Sequence, residues 1–321
     1  MVLTVTLNPL LERKFYFKEI ISNNSRAFSQ KLLAGGKGIN VSRQLNLLGV
    51  KNHALTFLGG FNGKKIRSIL ESEEISFSSV NTKSETREAA LLFDEKNQCL
   101  KTYFGVNSKI NKDEIELFIS KLKKSIQNSS IVVFSGSLPD DECSIIIEKG
   151  IEFCREFDKM SVLDTYGKFL PKFIKMGPTV IHNNFREIEE SFNLELNSEK
   201  KISAILEKLY KSNVTLAFLT RGSEAFYASK SDFHYRILNP EIIQKDPAGS
   251  GDAFVSGIVF GLEKSLVFND FVKLASALGA LNASAWDTCR VLRENAEKLA
   301  GSVEIIEIGK KIKIIDDSPT I

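Results

Sequence analysis

The feature of this sequence best suited to chemistry is a glycine-rich turn that runs directly into an apolar helical segment. The turn holds Gly249, Ser250 and Gly251, Asp252 follows at once, and residues 253–262 have helical character. Glycines allow close backbone approach, and the free amides and dipole of a helix start favour an anion. A role as the helix N-cap would by itself be enough to explain a carboxylate at this position. Beside an anion hole, it is also suited to take the proton of a hydroxyl that attacks a phosphoryl group.

Basic residues elsewhere are candidates for holding a phosphate on a substrate. Lys37 lies inside a second glycine-rich turn, where a structural role favours a small or apolar residue and a point cation suits a phosphate. Arg87, at the start of a strand-like run, could add a bidentate contact, unless it is a solvated charge at a strand edge. Arg26 is a third candidate. Ser137 offers a hydroxyl, although a turn-forming role before Pro139 explains it equally well.

Several classes of protein are excluded by what the sequence lacks. The Gly63-Lys64 pair lacks the glycine that a Walker loop needs five residues earlier, and Phe254 stands where a dinucleotide fingerprint needs its last glycine. The three histidines argue against a histidine-based zinc site. With 43 Lys and Arg against 40 Asp and Glu, the net charge of +3 gives no electrostatic case for nucleic acid or a membrane surface. No stretch reaches the roughly 18 apolar residues of a membrane span.

Apolar strand-like runs alternate with helical patterns along most of the chain, which predicts a parallel sheet. The runs are residues 3–7, 54–58, 131–134, 161–163, 179–181 and 214–219. Two helical patterns carry apolar residues three or four positions apart, and each predicts one buried face. These residues are Ile115, Phe118, Ile119, Leu122 and Ile126, and then Ile202, Ile205, Leu206 and Leu209.

One region breaks this alternation. Residues 87–93 and 98–104 are strand-like and are separated only by Asp94-Glu95-Lys96-Asn97, which is a hairpin signal. Together with residues 14–17, this hairpin predicts a small second sheet. A small sheet standing off an α/β body is suited to act as a lid that excludes water during chemistry.

Eight short motifs, spread from the first strand to about Trp286, occur in one characteristic order. They are Thr6-Leu7-Asn8-Pro9, Gly35-Gly36-Lys37-Gly38-Ile39-Asn40-Val41, Phe57-Leu58-Gly59-Gly60, Thr86-Arg87, Ser135-Gly136-Ser137-Leu138-Pro139, Leu163-Asp164-Thr165, Asn184-Phe185-Arg186-Glu187 and Gly249-Ser250-Gly251-Asp252. This order resembles that of the ribokinase-like (PfkB-type) sugar kinases. The opening motif and Lys37 make the chain most similar to the branch of 1-phosphofructokinases and tagatose-6-phosphate kinases.

The resemblance implies both a fold and a set of roles. The fold is one α/β domain over residues 1–321, with a mainly parallel central sheet flanked by helices on both faces and a β-sheet lid within residues 10–36 and 86–105. Asp252 would be the base that activates the acceptor hydroxyl, and the amides of Gly249, Ser250 and Gly251 would form the anion hole. The residues assigned to the substrate, by these motifs or by the argument from cations, are Glu12, Arg26, Gly36, Lys37, Asn40, Arg87 and Ser137.

A second group of residues is assigned to ATP by the resemblance. Asn184 and Glu187 correspond to the family's NxxE motif, which orders Mg²⁺ and its waters around the nucleotide phosphates, so Glu187 would act on the metal through water. Taken alone, these two residues are a helix N-cap and its capping-box partner, and both roles can hold together. Thr220 and Gly222 lie where relatives carry a turn at the nucleotide. Asn282 lies on a helix that in relatives flanks adenine.

The chain departs from the family pattern in four places, one of them a pair of residues. Glu12 stands where relatives usually have the shorter Asp, and Ala89 stands where fructose-1-phosphate kinases often show Asn. His182-Asn183 replaces a more usual Lys-Pro pair, and Ala225 stands where a glycine is common. A misplacement of about 1 Å at a positioning residue can cost on the order of a hundredfold in rate, so these departures bear on efficiency and sugar preference.

The expected function is ATP-dependent, Mg²⁺-requiring phosphorylation of a ketohexose monophosphate to a bisphosphate. Fructose 1-phosphate, giving fructose 1,6-bisphosphate, ranks first and tagatose 6-phosphate second, because each is a furanose with a phosphate at one end and CH₂OH at the other. A kinase of an unphosphorylated sugar or nucleoside ranks third. The alternative from another class is a sugar-phosphate-binding protein with little catalysis, which Glu12, Ala89 and Ala225 motivate.

Partners and location are expected from the same features. The N-terminus has a strand pattern instead of a signal peptide, and the four cysteines show no CxxC spacing, which indicates reduced thiols and a cytoplasmic protein. A sugar phosphate and ATP are the expected ligands, with no nucleic acid or membrane partner. An exposed lid sheet could pair between subunits, so a homodimer through the lid is a candidate assembly.

Overall fold

Two β-sheets contain the fourteen strands of the computed structural model, which describes residues 1–21 and 24–309. The strands are β1 (Val2–Thr6), β2 (Leu10–Phe17), β3 (Ser29–Gly35), β4 (Asn52–Gly59), β5 (Phe77–Thr82), β6 (Glu88–Asp94), β7 (Cys99–Phe104), β8 (Ile131–Ser135), β9 (Met160–Asp164), β10 (Val180–Asn184), β11 (Leu216–Thr220), β12 (Phe226–Lys230), β13 (Phe233–Leu238) and β14 (Glu304–Glu307). The helices are α1 (Lys37–Leu47), α2 (Gly60–Ser72), α3 (Lys112–Gln127), α4 (Ser144–Glu156), α5 (Leu170–Lys175), α6 (Phe185–Phe192), α7 (Glu199–Lys211), α8 (Ser250–Glu263), α9 (Phe268–Ala283) and α10 (Arg293–Ala300). Residues 22, 23 and 310–321, which the single-domain prediction includes, lie outside the described residues.

The larger sheet has ten strands in the order β14-β13-β12-β11-β10-β9-β8-β1-β4-β5. All neighbours from β11 to β5 run parallel, and each of the predicted runs forms one of these strands. Every residue of β1 and β8 is buried, as expected for strands that are covered on both faces. The mainly parallel sheet is therefore confirmed. The antiparallel β12, β13 and β14 extend it at one edge, beyond the runs identified from the sequence.

Helices cover both faces of this sheet. On one face, the predicted apolar stripe of α3 is buried, with the Phe118 ring 4.4 Å from that of Phe57 on β4. On the other face, α1, α8 and α9 pack around one apolar core. Residues 252–261 of α8 are all buried, because the helix is apolar around its whole circumference. This burial fixes the start of α8, and Asp252 with it, at the sheet.

The smaller sheet has four strands in the order β3-β2-β6-β7 and forms the lid. Its outer pairs, β2–β3 and β6–β7, are antiparallel, and its central pair, β2–β6, is parallel. The turn before β7 is fixed by Asp94, whose carboxylate accepts hydrogen bonds from the backbone amides of Asn97 and Ile20, each at 3.0 Å. Strand alternation places Glu12, Lys14 and Tyr16 on one face of β2.

Among residues 1–21 and 24–309, no helix is both long enough and apolar enough to cross a membrane.

Candidate active site

The predicted site residues gather at the carboxyl ends of the parallel strands, where the loops of open α/β sheets hold ligands. Asp164, Asn184 and Thr220 are the last residues of β9, β10 and β11. The loop after β1 carries Asn8, and the loop after β8 carries Ser137. Neighbouring parallel strands thus bring together residues that are far apart in the sequence.

Asp252 is a buried carboxylate in the first turn of α8. Gly249, the N-cap, has a φ of 76°, a left-handed conformation that glycine adopts without strain. Burial, with a smaller contribution from the Asp164 carboxylate, raises the pKa of Asp252 to about 6 against the opposing effects of Lys37 and Asn40. A carboxyl group with this pKa is ionised at neutral pH and still has useful proton affinity, which suits a general base.

The anion loop, residues 247–251, differs in one respect from the expected set of three free amides. The Ser250 amide donates to the Pro247 carbonyl at 3.1 Å. The amides of Gly249 and Gly251 have no acceptor among the described residues, so they are the two donors available to an anion. A Cβ on Gly249 would lie 2.0 Å from the Thr288 methyl carbon, and one on Gly251 would lie 3.1 Å from the His182 ring. Both positions are therefore closed to larger side chains.

Asn40 on α1 orients the candidate base. Its amide nitrogen donates to Asp252 Oδ2 at 2.8 Å, and its carbonyl oxygen accepts from Arg43 Nη1 at 2.8 Å. Arg43 in turn forms an ion pair with Glu73 at 2.9 Å. Both ends of the Asn40 side chain are therefore engaged, one of them with the carboxylate of Asp252.

Glu12 projects from lid strand β2 over Gly35 of β3, which pairs with Leu10 two residues earlier on β2. A Cβ on Gly35 would lie 2.4 Å from Glu12 Oε1. Burial raises the pKa of Glu12 above its usual value, while Arg43 and Lys14 lower it. The extra methylene relative to the usual Asp thus occupies space that Gly35 leaves open. Gly36 has a φ of 122°, and a Cβ there would come within 2.8 Å of Thr6 Cγ2.

Arg87 belongs to a polar cluster formed by the loops that follow β1, β7 and β8. Its guanidinium donates to the Asn8 carbonyl at 3.0 Å and to Asn107 Oδ1 at 3.3 Å. The Asn8 amide nitrogen contacts Ser137 Oγ at 3.0 Å and Asn107 Oδ1 at 3.1 Å. Arg87 Nε is buried and has no hydrogen-bond partner among the described residues. Asn107 was missed by sequence reasoning, since a single Asn after a strand carries no motif.

Arg26 is not brought into this cluster. It lies exposed ahead of β3 and makes no hydrogen bond or ion pair with another described residue.

Lys37 forms ion pairs with two carboxylates, one at the end of β9 and one in the first turn of α6. Its ammonium lies 3.2 Å from Asp164 Oδ1 and 3.5 Å from Glu187 Oε1. Burial alone would lower the pKa of Lys37, but these carboxylates hold it above its usual value. Lys37 therefore stands between the base and the NxxE motif, whereas the sequence analysis grouped it with Arg87.

His182 is a buried residue of the site that sequence reasoning noted only as a departure from the family. Its Nδ1 lies 2.9 Å from Asp164 Oδ1, and its Nε2 lies 3.3 Å from Thr220 Oγ1. Burial alone would raise the pKa of Asp164, but Lys37 and His182 hold it below its usual value. An ionised Asp164 only accepts hydrogen bonds, so the His182 proton is assigned to Nδ1. His182 thus links β9, β10 and β11 beneath the anion loop.

Asn184 and Glu187 form a complete capping box at the start of α6. Asn184 Oδ1 accepts from the Glu187 amide at 2.9 Å, and Glu187 Oε2 accepts from the Asn184 amide at 2.9 Å. The second oxygen of Glu187 faces Lys37. No cluster of three or more potential metal-ligating side chains occurs among the described residues. Glu187 Oε1 accepts no backbone hydrogen bond, so a Mg²⁺ ion could be held by this oxygen together with waters and ligand phosphates, since Mg²⁺ keeps several of its waters.

The last three nucleotide candidates lie on two different elements. Thr220 is the last residue of β11, and Gly222 lies in the following turn with a φ of 58°. The Asn239 side-chain nitrogen donates to the Glu224 carbonyl in the same turn at 2.6 Å. Asn282 is 1% exposed. Its amide nitrogen donates to the Ala248 carbonyl at 2.8 Å, and its oxygen accepts from the Cys289 amide at 2.7 Å. The side chain of Asn282 therefore braces the anion loop.

Comparison with known proteins gives concordant results. Residues 12–294 match the pfkB family of carbohydrate kinases. A 1-phosphofructokinase from Borreliella burgdorferi is 31% identical over 96% of this chain and 99% of its own length. A tagatose-6-phosphate kinase from Staphylococcus epidermidis is 28% identical over 96% of this chain and 100% of its own length. The solved structure of phosphofructokinase-2 from Escherichia coli is 21% identical, with a TM-score of 0.87 over 94% of this chain and 98% of that chain, and shows the same fold. The chain belongs to the pfkB family of carbohydrate kinases.

Proposed function

We propose that this kinase transfers the γ-phosphoryl group of ATP to fructose 1-phosphate and produces fructose 1,6-bisphosphate. The observation that carries the proposal has two parts. Asp252 is a buried base beside two free amides, and Arg87 has an Nε that lacks a hydrogen-bond partner among the described residues. The first suits phosphoryl transfer to a hydroxyl, and the second suits a phosphate already present on the acceptor. Similarity to a 1-phosphofructokinase supports this choice of sugar.

The residues of this chain act in the following order. Arg87, with Asn8 and Ser137, binds the phosphate of the acceptor, and Glu12 binds sugar hydroxyls. Asp252 takes the proton of the primary alcohol as the alcohol oxygen forms a bond to the γ-phosphorus. The bond between that phosphorus and the β,γ-bridging oxygen breaks, and ADP leaves with the bridging oxygen. The amides of the anion loop stabilise the charge that develops on the transferred group.

Lys37 and Glu187 act on the nucleotide side in this proposal. Lys37 lies beside Asp164 and Glu187, on the side of the site that we assign to the nucleotide, so we assign its ammonium to the phosphoryl group being transferred. Arg87 then binds the phosphate that the acceptor already carries. Mg²⁺, when bound to the nucleotide, neutralises charge on the phosphates, and Glu187 would hold its waters. Thr220 and Gly222 border the nucleotide, and Asn282 holds the anion loop in place.

The direct test is ADP release with Mg²⁺-ATP across fructose 1-phosphate, tagatose 6-phosphate, fructose 6-phosphate, fructose and ribose. We expect turnover to be fastest with fructose 1-phosphate. Preference for tagatose 6-phosphate would establish the alternative activity, which a similar kinase from Staphylococcus epidermidis supports. Faster turnover of an unphosphorylated sugar would contradict the role of Arg87. Binding of a sugar phosphate without turnover of any acceptor would establish the binding-protein alternative.

The pH profile of kcat/KM should report the ionisation of Asp252. We expect kcat/KM to rise about tenfold per pH unit below pH 6 and to level off above it, because only the ionised carboxylate accepts the proton and its pKa is about 6. Asn40 donates to this carboxylate and stabilises its charged form, so Asn40→Ala should move the inflection to higher pH. A profile that is flat from pH 5 to 8 would contradict the assignment of Asp252 as the base.

Replacing Arg87 by glutamine should raise KM for the sugar phosphate far more than it lowers kcat. The lost contact binds a group that does not react, and a hydrogen bond to a charged group contributes about 1.5–3 kcal/mol, which corresponds to a KM increase of about 10- to 100-fold. Steady-state kinetics with varied acceptor measure this effect. Arg26→Gln is the control and should change KM less than twofold, since Arg26 is exposed and outside the cluster. Equal effects of the two substitutions would contradict the separate role of Arg87.

The lid also supports a homodimer. Edge strand β7 ends in the exposed rings of Tyr103 and Phe104, and Val106 beyond it is exposed as well. An apolar, unpaired strand edge favours association with a second strand. The solution mass measured by analytical ultracentrifugation tests this assembly, and a monomer at assay concentration would exclude it.

A reducing compartment, the cytoplasm, is supported by the cysteines. Cys99, Cys143, Cys154 and Cys289 are all unpaired, and three of them are buried. Free buried thiols are typical of proteins that work where disulfides do not persist.

A further inference from the structure

Lys14 is a buried lysine that the mechanism above does not use. It lies on lid strand β2 on the same face as Glu12, and it is 2% exposed. Its ammonium donates to the backbone carbonyl of Trp286 at 2.8 Å. The rings of Tyr16 and Phe93, also on the lid, lie 5.6 and 5.8 Å from the same nitrogen. Burying an ammonium is costly, and burial lowers the pKa of Lys14, so an apolar side chain would be the cheaper choice for stability alone.

The carbonyl that Lys14 binds belongs to a segment between α9 and α10, residues 284–291. The Trp286 ring packs edge-on against Phe93 with ring centres 4.6 Å apart. The next residue, Asp287, forms an ion pair at 3.6 Å with Lys31, which lies directly opposite Lys14 in the lid sheet. Both side chains of this ion pair are nearly half exposed, so it contributes little, and the buried Lys14 ammonium is the contact by which the lid holds the segment.

The other end of the same segment forms the back of the anion loop. The Thr288 methyl group packs against Gly249 so closely that a Cβ on Gly249 would overlap it. The Cys289 amide donates to Asn282 Oδ1 at 2.7 Å, and Asn282 donates to the Ala248 carbonyl at 2.8 Å. The Cys289 sulfur lies 3.5 Å from the Gly249 carbonyl. Two residues after Trp286, the same segment therefore contacts the loop that carries the Gly249 and Gly251 amides.

We propose that Lys14 is a positioning residue that couples the lid to the anion loop by holding the Trp286 carbonyl. Its ammonium binds the carbonyl when the lid lies against the body, and Thr288 and Cys289 then hold Gly249 in its left-handed conformation. The inference rests on the kinase activity proposed above, because it assigns Lys14 to the formation of that reaction's anion hole. It also distinguishes Lys14 from its neighbour Glu12, which faces the sugar.

The kinetic test compares Lys14→Met with Lys31→Met. Methionine keeps an unbranched apolar side chain and removes the ammonium, while Lys31→Met removes an exposed ammonium from the opposite position of the sheet. For Lys14→Met we expect kcat to fall by about tenfold or more with KM for the sugar phosphate changed less than twofold, because only transition-state contacts are weakened. Lys31→Met should stay within twofold of the parent kcat, as is usual for an exposed ion pair. An unchanged kcat for Lys14→Met would overturn the proposal.

Hydrogen exchange provides a readout that does not depend on turnover. Peptides covering residues 247–254 should exchange faster in Lys14→Met than in the parent protein and in Lys31→Met. Trp286 is the only tryptophan of the chain, so its emission should also shift to longer wavelength when the lid contact is lost. Unchanged exchange at residues 247–254 in Lys14→Met would overturn the coupling. If the parent protein shows no kinase activity while these residues still exchange faster in Lys14→Met, only the proposed function is overturned.

Two further variants separate positioning from folding. Lys14→Arg keeps a cation that can reach the same carbonyl, and it should recover part of the lost kcat. If Lys14→Met fails to fold, Phe93→Leu loosens the same contact from the lid without removing a charge, and it should show the same loss of kcat at constant KM. A normal kcat in folded Phe93→Leu, together with normal exchange of the anion loop, would then overturn the proposal.

Discussion

Asp252→Asn is expected to lower kcat by about a thousandfold with little change in KM for the sugar phosphate, because loss of general base catalysis typically costs about 10²- to 10⁴-fold. Asparagine has the same shape and cannot take the hydroxyl proton. The anion loop and Arg87 are unaffected, so binding remains. Steady-state kinetics with fructose 1-phosphate measure the effect, and a decrease of less than tenfold would show that another group takes the proton.

The same substitution should leave the fold as stable as before or more stable. Burial raises the pKa of Asp252 to about 6, so the folded state disfavours the ionised form that exists at neutral pH. A neutral amide removes this penalty above pH 6, and thermal unfolding at pH 7.5 should show an equal or higher midpoint. Asp270→Asn is the matched control, since it removes an exposed acid from the first turn of α9 and should change neither property.

Lys37→Met is expected to lower both turnover and stability. Loss of a charge that stabilises the transferred group costs about 10²- to 10³-fold in kcat. The substitution also leaves the Asp164 carboxylate buried with His182 as a hydrogen-bond partner and no lysine, and breaking a buried ion pair costs about 3–5 kcal/mol in the free energy of unfolding. The Lys37 side chain is 27% exposed, which favours the lower end of that range.

The double variant Lys37→Met with Asp164→Asn separates these two effects. Neutralising Asp164 removes the unpaired buried charge, so most of the lost unfolding free energy should return while kcat stays low. Urea unfolding and steady-state kinetics measure the two quantities on the same samples. Recovery of kcat in the double variant would mean that Lys37 serves only to neutralise Asp164.

The parts of the fold and site that could be predicted from the sequence are those with local signals. The start of α8 and the strands β1, β4, β8, β9, β10 and β11 follow from apolar runs bounded by turns, and the lid hairpin follows from the polar stretch that begins at Asp94. Asp252 carries a local signal as well, because glycines precede it and an apolar helix follows. The family resemblance added the order of the motifs, and the comparisons with known proteins confirmed the family.

The contacts between site residues could not be predicted in this way, because they depend on strand order. Lys37 meets Asp164 across 127 residues of sequence, and they become neighbours only because β9 and the turn before α1 end at the same edge of the sheet. His182 was noted as an exception to a pattern, yet its partners lie on β9 and β11. No sequence spacing indicates that Asn40 orients Asp252, since the two lie on separate helices 212 residues apart.

The parallel pairing of β2 with β6 has a consequence for the order of folding. The two hairpins of the lid are separated in sequence by α1, β4, α2 and β5, so this intervening chain is the crossover that a parallel pair requires. Closing such a long loop costs entropy that the lid contacts repay only after the body has formed. We therefore expect the lid to form after the body during folding and to open before it during unfolding. With the roles proposed above, a partly unfolded molecule would stop binding the sugar phosphate while the nucleotide side of the site is still intact.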